Sequence, residues 1–144
     1  MEGLRDGGSV VVARWTGRRY AAVRTLRRNG DEVDDDVAVR RRTRTGWASL
    51  GSSGSTVPLH AAPHPGEPRL AATAWFAPRC TVVEGEAAEA RWVEVVKRRR
   101  ARRQPVSGGY AVACGVAPFA VRLLDAEGRV LAATAVPRRG RPGR

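Results

Sequence analysis

The most regular pattern in the chain is an alternation of apolar side chains that begins after Pro68. It places apolar residues on one face of three stretches: Leu70, Ala72, Ala74 and Phe76; Tyr110, Val112, Cys114 and Val116; and Phe119, Val121 and Leu123. Because successive side chains of a strand point to opposite faces of a sheet, each stretch predicts a strand with one buried face. Turn residues over 125–128 precede an apolar stretch over 129–136, which predicts a closing hairpin.

The N-terminal part of the chain predicts a second set of strands. Residues 9–16 are rich in valine, and residues 19–27 follow a break at Gly17. The dipeptide Asn29-Gly30 is the strongest hairpin signal, because a type I′ turn needs positive φ at both central residues. The predicted return strand covers 37–45. The acidic run over 31–36 lies between them and is interpreted as a solvated hairpin end that could pair locally with arginines.

A stretch rich in glycine, serine and proline separates these two regions. Residues 51–68 read GSSGSTVPLHAAPHPGEP, which predicts a long flexible loop. Short strands on both sides predict one β-rich domain over 1–137, an all-β antiparallel sandwich. The arginine-rich and glycine-rich residues 138–144 are predicted to form a disordered basic tail.

Residues 86–103, which read EAAEARWVEVVKRRRARR, fit two kinds of structure. Their valines favour a strand over 90–97, because valine-rich stretches pack well in sheets. A helix would also place apolar residues on one face, with glutamates at its start and arginines at its end, as the helix dipole favours. We prefer the strand; a helix over 86–103 would make the fold α+β.

Charge is the feature of composition that bears most on function. The 144 residues include 26 lysines and arginines against 14 aspartates and glutamates, a net charge of +12. Such an excess attracts polyanions, which include nucleic acid, acidic membrane faces and acidic proteins. However, Lys97 is the only lysine, Asn29 is the only asparagine and isoleucine is absent. This composition is typical of GC-rich genes, so codon usage offers a second explanation for the arginines.

Clusters of arginine are the candidate binding residues. Arginine pairs with phosphate oxygens through a planar fork, so such clusters are suited to a nucleic-acid backbone. Single-strand binders also need exposed aromatic rings. Trp47 lies in a polar stretch and is predicted to be exposed, whereas Trp75 and Trp92 lie in apolar stretches and are predicted to be in the core. The candidates for polyanion binding are Arg40, Arg42, Arg44, Arg98, Arg99, Arg100, Arg102 and Arg103.

The other chemically active side chains predict no catalytic, cofactor or metal site. His60 and His64 lie in loop-like sequence with prolines, which does not match a zinc motif. The serines over 51–55 lack the Gly-x-Ser-x-Gly spacing of hydrolases and the lysine of a phosphate-binding loop. Glutamates at 84, 86 and 89 lie close in sequence, but no apolar setting is evident that would raise a pKa, so they are interpreted as solvated.

The two cysteines, Cys80 and Cys114, leave their redox state open. Cys114 lies in an apolar strand, where a core thiol is expected rather than a nucleophile. A cytosolic chain would keep both thiols reduced, whereas a secreted chain could pair them across a sandwich.

The last strands carry a resemblance to a group of known proteins. Residues 109–137 read GYAVACGVAPFAVRLLDAEGRVLAATAVP, and residues 90–95 fit the strand before them. This stretch resembles the end of small actinobacterial proteins of unknown function that form compact immunoglobulin-like sandwiches. The resemblance implies an immunoglobulin-like fold for the C-terminal half and brings no functional residues. The arginine run over 98–103 is outside the pattern and is interpreted as an elongated turn.

Taken together, these features predict a non-enzymatic interaction or accessory domain whose partner is unknown. The alternative is nonspecific binding of nucleic acid or another polyanion, such as an acidic protein, through the arginine clusters. No apolar stretch reaches the roughly 18–20 residues of a membrane helix. The first residues also lack a signal-peptide pattern, so the sequence predicts a cytoplasmic protein.

Overall fold

The computed structural model describes residues 4–76 and 79–138, and it confirms the all-β prediction. The strand predicted over 90–97 is present, and no helix forms over 86–103. None of the helical structure in the described residues is long and apolar enough to cross a membrane. The elements are β1 Ser9–Thr16, β2 Tyr20–Asn29, β3 Glu32–Thr43, β4 Gly46–Pro58, a 3₁₀ turn Leu59–Ala61, β5 Arg69–Phe76, β6 Cys80–Glu86, β7 Trp92–Lys97, β8 Arg100–Pro105, β9 Tyr110–Gly115, β10 Phe119–Leu124 and β11 Val130–Val136.

The strands form antiparallel sheets of four, three and four strands. The first is a meander in the order β1-β2-β3-β4, the second has the order β5-β6-β9, and the third has the order β11-β10-β7-β8. The second and third sheets face each other as a seven-stranded sandwich, and the meander packs on the other face of the second sheet through β1, β2 and β9. The molecule is therefore a sandwich with three layers.

The three-stranded sheet lies in the middle because both of its faces are covered. In β6 the buried residues run consecutively from Cys80 to Val83, and in β9 they run from Ala111 to Cys114. One face packs on the β11-β10-β7-β8 sheet. Gly85 lies so close to that sheet that a methyl group added to it would be 3.2 Å from the Leu123 side chain. Toward the meander, Glu86 contacts Arg24. Only strands without a solvent face show such unbroken burial, whereas a half-buried strand alternates.

One apolar cluster joins the three layers. It contains Trp15 and Val39 from the meander, Val82 from the middle sheet, and Val121 and Leu123 from the third sheet. Val112, Phe119 and Val121 are buried, as the alternation after Pro68 predicts. Burial of this apolar surface is the main stabilising contribution to the fold, at about 25 cal/mol per Å².

Two predictions about the N-terminal region are wrong. Residues 51–58 are not part of a flexible loop; they belong to β4, which pairs with β3 from Val39–Gly51 to Glu32–Pro58. Irregular structure in this region is confined to 62–68. The acidic run is not a hairpin end, because Glu32 begins β3 and pairs with Asn29 directly after the turn.

The elongated turn predicted over 98–103 is also wrong. The turn contains residues 98 and 99 alone, and Lys97 pairs with Arg100 across it. The remaining arginines form β8 at the edge of its sheet. Charged side chains suit such an edge, because they oppose pairing with another chain. The predicted disordered tail, 138–144, lies outside the described residues except for Arg138.

Candidate functional site: a basic end of the sandwich

Charge is separated along β3, an inner strand of the meander. β3 begins with Glu32 and Asp34–Asp36 and ends with Arg40–Arg42. Its neighbours β2 and β4 run antiparallel to it, so the β2–β3 turn lies at the acidic end of the sheet and the β1–β2 and β3–β4 turns lie at the opposite, basic end. The sequence contains no aspartate or glutamate over 7–30, 37–66 or 95–124. The cations of these segments therefore have no carboxylates within their own segments.

Three turns bring their cations together at what we call the basic end. Its members are Arg18 and Arg19 from the β1–β2 turn; Arg40, Arg41, Arg42 and Arg44 from the end of β3 and the β3–β4 turn; and Lys97, Arg98, Arg99 and Arg100 from the β7–β8 turn. The first two turns are joined by a hydrogen bond of 2.7 Å, in which the Arg42 backbone N–H donates to the Arg19 carbonyl oxygen.

Lys97 shows that the β7–β8 turn is close to the β1–β2 turn. Its ammonium donates a hydrogen bond of 2.6 Å to the Val116 carbonyl oxygen. Burial, and then the positive charges of Arg98 and Arg19, lower the pKa of Lys97. Positive charges close enough to lower the pKa of Lys97 create a concentrated positive potential, which is the property that attracts a polyanion.

The β7–β8 turn holds Arg98 in a backbone conformation that is unfavourable for arginine. Its φ is 57°, in the left-handed region that glycine or asparagine usually occupies in two-residue hairpin turns. A side chain in this region costs roughly 1–2 kcal/mol. Strained residues are concentrated at binding and catalytic sites, so the position of Arg98 at the tip of the basic end is a sign of function.

An exposed tryptophan accompanies the arginines. Trp47 lies directly opposite Arg42 across β3 and β4, and the Arg42 guanidinium carbon is 5.7 Å from the centre of the Trp47 ring. This separation is within the range of a cation–π contact. The prediction that Trp47 is exposed is confirmed. The prediction that Trp92 is in the core is wrong, since Trp92 is almost equally exposed; the side chain of Trp75 lies outside the described part.

The predicted binding residues divide into two groups. Arg40, Arg42, Arg44, Arg98, Arg99 and Arg100 belong to the basic end. Arg102 and Arg103 lie farther along β8. The Arg103 guanidinium is 2.7 Å from one carboxylate oxygen of Glu94. The other oxygen of Glu94 is 3.6 Å from the Arg122 guanidinium. Arg103 is therefore partly neutralised and does not belong with the others.

A second charged cluster, which sequence reasoning missed, is buried between the meander and the middle sheet. The side chain of Arg24 on β2 is 1% exposed, and its Nε and Nη2 atoms bind both carboxylate oxygens of Asp35 at 3.0 and 2.8 Å. Nη2 is also 2.6 Å from Glu86, and Nε is 3.2 Å from Glu84. Nη1 donates to the carbonyl oxygens of Gly85 and Ala111. The interpretation of Glu84 and Glu86 as solvated is therefore wrong, because β6 directs both toward Arg24.

Three carboxylates share one guanidinium in this cluster, and the pKa values of Glu84 and Arg24 are shifted. Burial raises the pKa of Glu84 to about 7, with Arg24 opposing the rise and Asp35 adding to it. For Arg24, burial lowers the pKa but the three carboxylates outweigh it, and the pKa is raised. The Tyr110 ring lies 5.6 Å from the guanidinium, and its hydroxyl donates to the Pro63 carbonyl oxygen. This arrangement fastens β2 and β3 onto β6 and β9.

The cysteines are free and buried in the middle sheet. Cys80 on β6 and Cys114 on β9 are hydrogen-bonded neighbours on adjacent strands. The hydrogen bond that the Cys114 thiol donates to Cys80, and then burial, raise the pKa of Cys114, whereas the same hydrogen bond lowers the pKa of Cys80. A thiol kept protonated in this way is a poor nucleophile.

A groove of about 360 Å³ lies between β1, the end of β8 and β9. Its described lining contains no histidine, cysteine or carboxylate. Within the described ranges, no group of three histidine, cysteine or carboxylate side chains is placed to hold a metal ion.

Comparisons of the chain with models of protein families, with curated proteins and with solved structures found no match.

Proposed function

We propose that this chain is a non-enzymatic binding module that attaches to nucleic acid through its basic end. The observation that carries the proposal is the convergence of arginines from three separate turns. Arg19 links the three turns, because its carbonyl oxygen binds the Arg42 backbone N–H and its charge acts on Lys97 beside Arg98. Codon usage offers an explanation for the number of arginines, but it does not explain why the cations of these three turns lie together, away from the acidic run.

The chemistry of the basic end suits a phosphate backbone. Guanidinium groups bind phosphate oxygens in pairs, and several on one surface would release counterions when they bind. The left-handed backbone conformation of Arg98 also supports the proposal, because strained conformations persist where a side chain has a functional role. A dispersed excess of positive charge would favour solubility alone.

The same proposal includes two finer assignments. Seven antiparallel strands in two facing sheets support an immunoglobulin-like identity for 69–136, in keeping with the resemblance noted from the sequence. The free thiols of Cys80 and Cys114 support a reducing, cytoplasmic setting. The groove between β1 and β9 is lined mainly by apolar side chains, and its described lining contains no histidine, cysteine or carboxylate, which supports a role without catalysis.

The proposal is tested by measuring binding to a fluorescent single-stranded oligonucleotide by anisotropy across a salt series. The triple variant Arg44→Ser, Arg99→Ser and Arg100→Ser removes three exposed cations from two turns of the basic end. For single strands, the slope of log affinity against log salt falls by about 0.7 for each lost phosphate contact. We therefore expect the slope to fall by about 2 and the affinity at about 50 mM salt to fall tenfold or more.

The matched control removes three exposed arginines from elsewhere: Arg5→Ser, Arg69→Ser and Arg129→Ser. It has the same net charge as the test variant, and we expect binding close to that of the native chain. Equal losses in the two variants would mean that net charge alone attracts the polymer, and the proposal would be wrong. Absence of binding by the native chain at low salt would also refute it.

A further inference from the structure

The outer face of the meander has a shallow groove beside the basic end. Its volume is about 170 Å³, which is below the range of about 300–1,000 Å³ that encloses a small-molecule ligand. Arg14 on β1, Arg40 on β3 and Trp47 on β4 line it, with the small residue Ala21 on β2 between them. An open groove of this size is suited to one planar group of a longer ligand.

We propose that this groove binds an unpaired nucleobase, and that the chain therefore prefers single-stranded nucleic acid to a duplex. This inference rests on the proposed function and deepens it. The base stacks on the ring of Trp47, and the guanidinium groups of Arg14 and Arg40 bind the phosphates on either side. A base inside a duplex has both faces covered by its neighbours, so it cannot reach the ring.

The placement of Trp47 carries this inference. Its side chain is 38% exposed, at the end of an edge strand and among the cations that attract phosphate. Packing in the core does not explain the choice of an aromatic side chain at this position, because the ring is exposed. Single-strand binders combine these two elements, a positive groove for the backbone and aromatic rings for the bases. Heparin and acidic proteins offer charge without bases, so the tryptophan favours nucleic acid.

The small residues around Trp47 leave its ring accessible. Ala21 pairs with Arg40 across β2 and β3, and Val23 pairs with Arg14 across β1 and β2, so only small aliphatic side chains of β2 lie between the two arginines. Arg42 is the only described cation within cation–π range of Trp47. Its guanidinium is planar and can extend the stacked surface or move aside when a base binds.

The test compares two oligonucleotides that carry the same number of phosphates. One is an oligothymidylate of about ten nucleotides, within the site size of single-strand binders, and the other has the same backbone with abasic sugars. The variant is Trp47→Ala. Its matched control is Trp92→Ala, which removes an equally exposed tryptophan, 37% exposed, from β7.

We expect Trp47→Ala to weaken oligothymidylate binding roughly 5- to 150-fold, which is the range that one base stacked on an aromatic ring supplies. Binding of the abasic strand should change less than twofold. Trp92→Ala should leave both affinities unchanged, and Trp47→Phe should restore most of the loss because phenylalanine also stacks. Far-ultraviolet circular dichroism checks that each variant is folded.

Each alternative outcome has a distinct meaning. If the native chain binds both strands equally, the inference is wrong while the proposed polyanion binding stands. If Trp47→Ala weakens both strands equally, Trp47 supports the arginines structurally, and the inference is again wrong. If the native chain binds neither strand nor heparin, the proposed function fails first. A duplex is measured in the same assay, and tighter binding of the duplex than of the oligothymidylate would also overturn the inference.

Discussion

Replacing Glu84 with glutamine tests the buried cluster around Arg24. The ordinary pKa of a glutamate is 4.5, and burial raises that of Glu84 to about 7. The folded state therefore holds a proton on Glu84 that the unfolded state has lost between these two values. The stability due to this proton is fully present below pH 4.5 and is lost as the pH rises through 7.

The size of the effect follows from the two pKa values. Each pH unit between them corresponds to about 1.4 kcal/mol, so the native chain loses up to about 3.5 kcal/mol as the pH rises from 4.5 through 7. Glutamine keeps the shape of the side chain and an oxygen that can accept the hydrogen bond from the Thr73 hydroxyl, but it does not ionise. We expect Glu84→Gln to be more stable than the native chain at pH 8, by about 1–3 kcal/mol, and similar to it at pH 5.

Urea unfolding at pH 5, 6, 7 and 8 measures this difference directly. Glu89→Gln serves as the control, because Glu89 is exposed on the turn after β6 and its replacement changes the net charge by the same amount. We expect the control to change stability by less than about 0.5 kcal/mol at every pH. A Glu84→Gln protein that is less stable at pH 8, or that keeps the native pH dependence, would refute the reasoning.

Other parts of the structure give further predictions. Arg24→Met leaves three buried carboxylates without their counter-charge, and we expect urea titrations to show a loss of about 3–5 kcal/mol; a smaller loss would mean that solvent reaches the cluster. Arg98→Gly relieves the left-handed backbone, so stability should rise by about 1 kcal/mol while oligonucleotide binding weakens; a fall in stability would disprove the strain. Gly85→Ala places a methyl group 2.5 Å from a leucine side chain and should cost about 1–3 kcal/mol, whereas an unchanged unfolding midpoint would refute close packing there. Cys80 and Cys114 should react with a thiol reagent only as fast as the protein unfolds, and rapid labelling of the native chain would contradict their burial.

Much of the fold could be predicted because alternation reports which face of a strand is buried. β10 follows directly from it, whereas β9 was located by its apolar residues but is buried on both faces. β4 could not be found in this way, because both of its faces are largely exposed and its sequence carries no alternation. It is a strand because its backbone pairs with β3, and pairing between distant segments leaves no local signal.

The buried cluster around Arg24 has a signal in the sequence, in the positions of its charges along β2 and β3. Arg24 lies between Ala22 and Leu26, and Asp35 lies between Val33 and Val37, so each charge occupies an inward position of a strand. A buried arginine of this kind requires a partner. That requirement was readable from the sequence, but the glutamates of β6 became its partners through contacts between distant layers.

The basic end was predictable only in part. The residue types were evident, but their convergence depends on which ends of β1, β3 and β7 lie together. The exposure of Trp92 was misjudged for a simpler reason. In an apolar stretch such as β7, alternation places Val93 inward, and its neighbour Trp92 necessarily points out.

The opposite placement of acids and arginines along β3 gives the molecule an electric dipole as well as a net charge. A protein with evenly spread charge would approach a long polyanion in any orientation. In this molecule the field of a polyanion would exert a torque, repelling the end near Glu32 and attracting the end near Arg42. If the chain binds such a polymer as proposed, most encounters would begin with the same face forward, which would raise the association rate without any added contact.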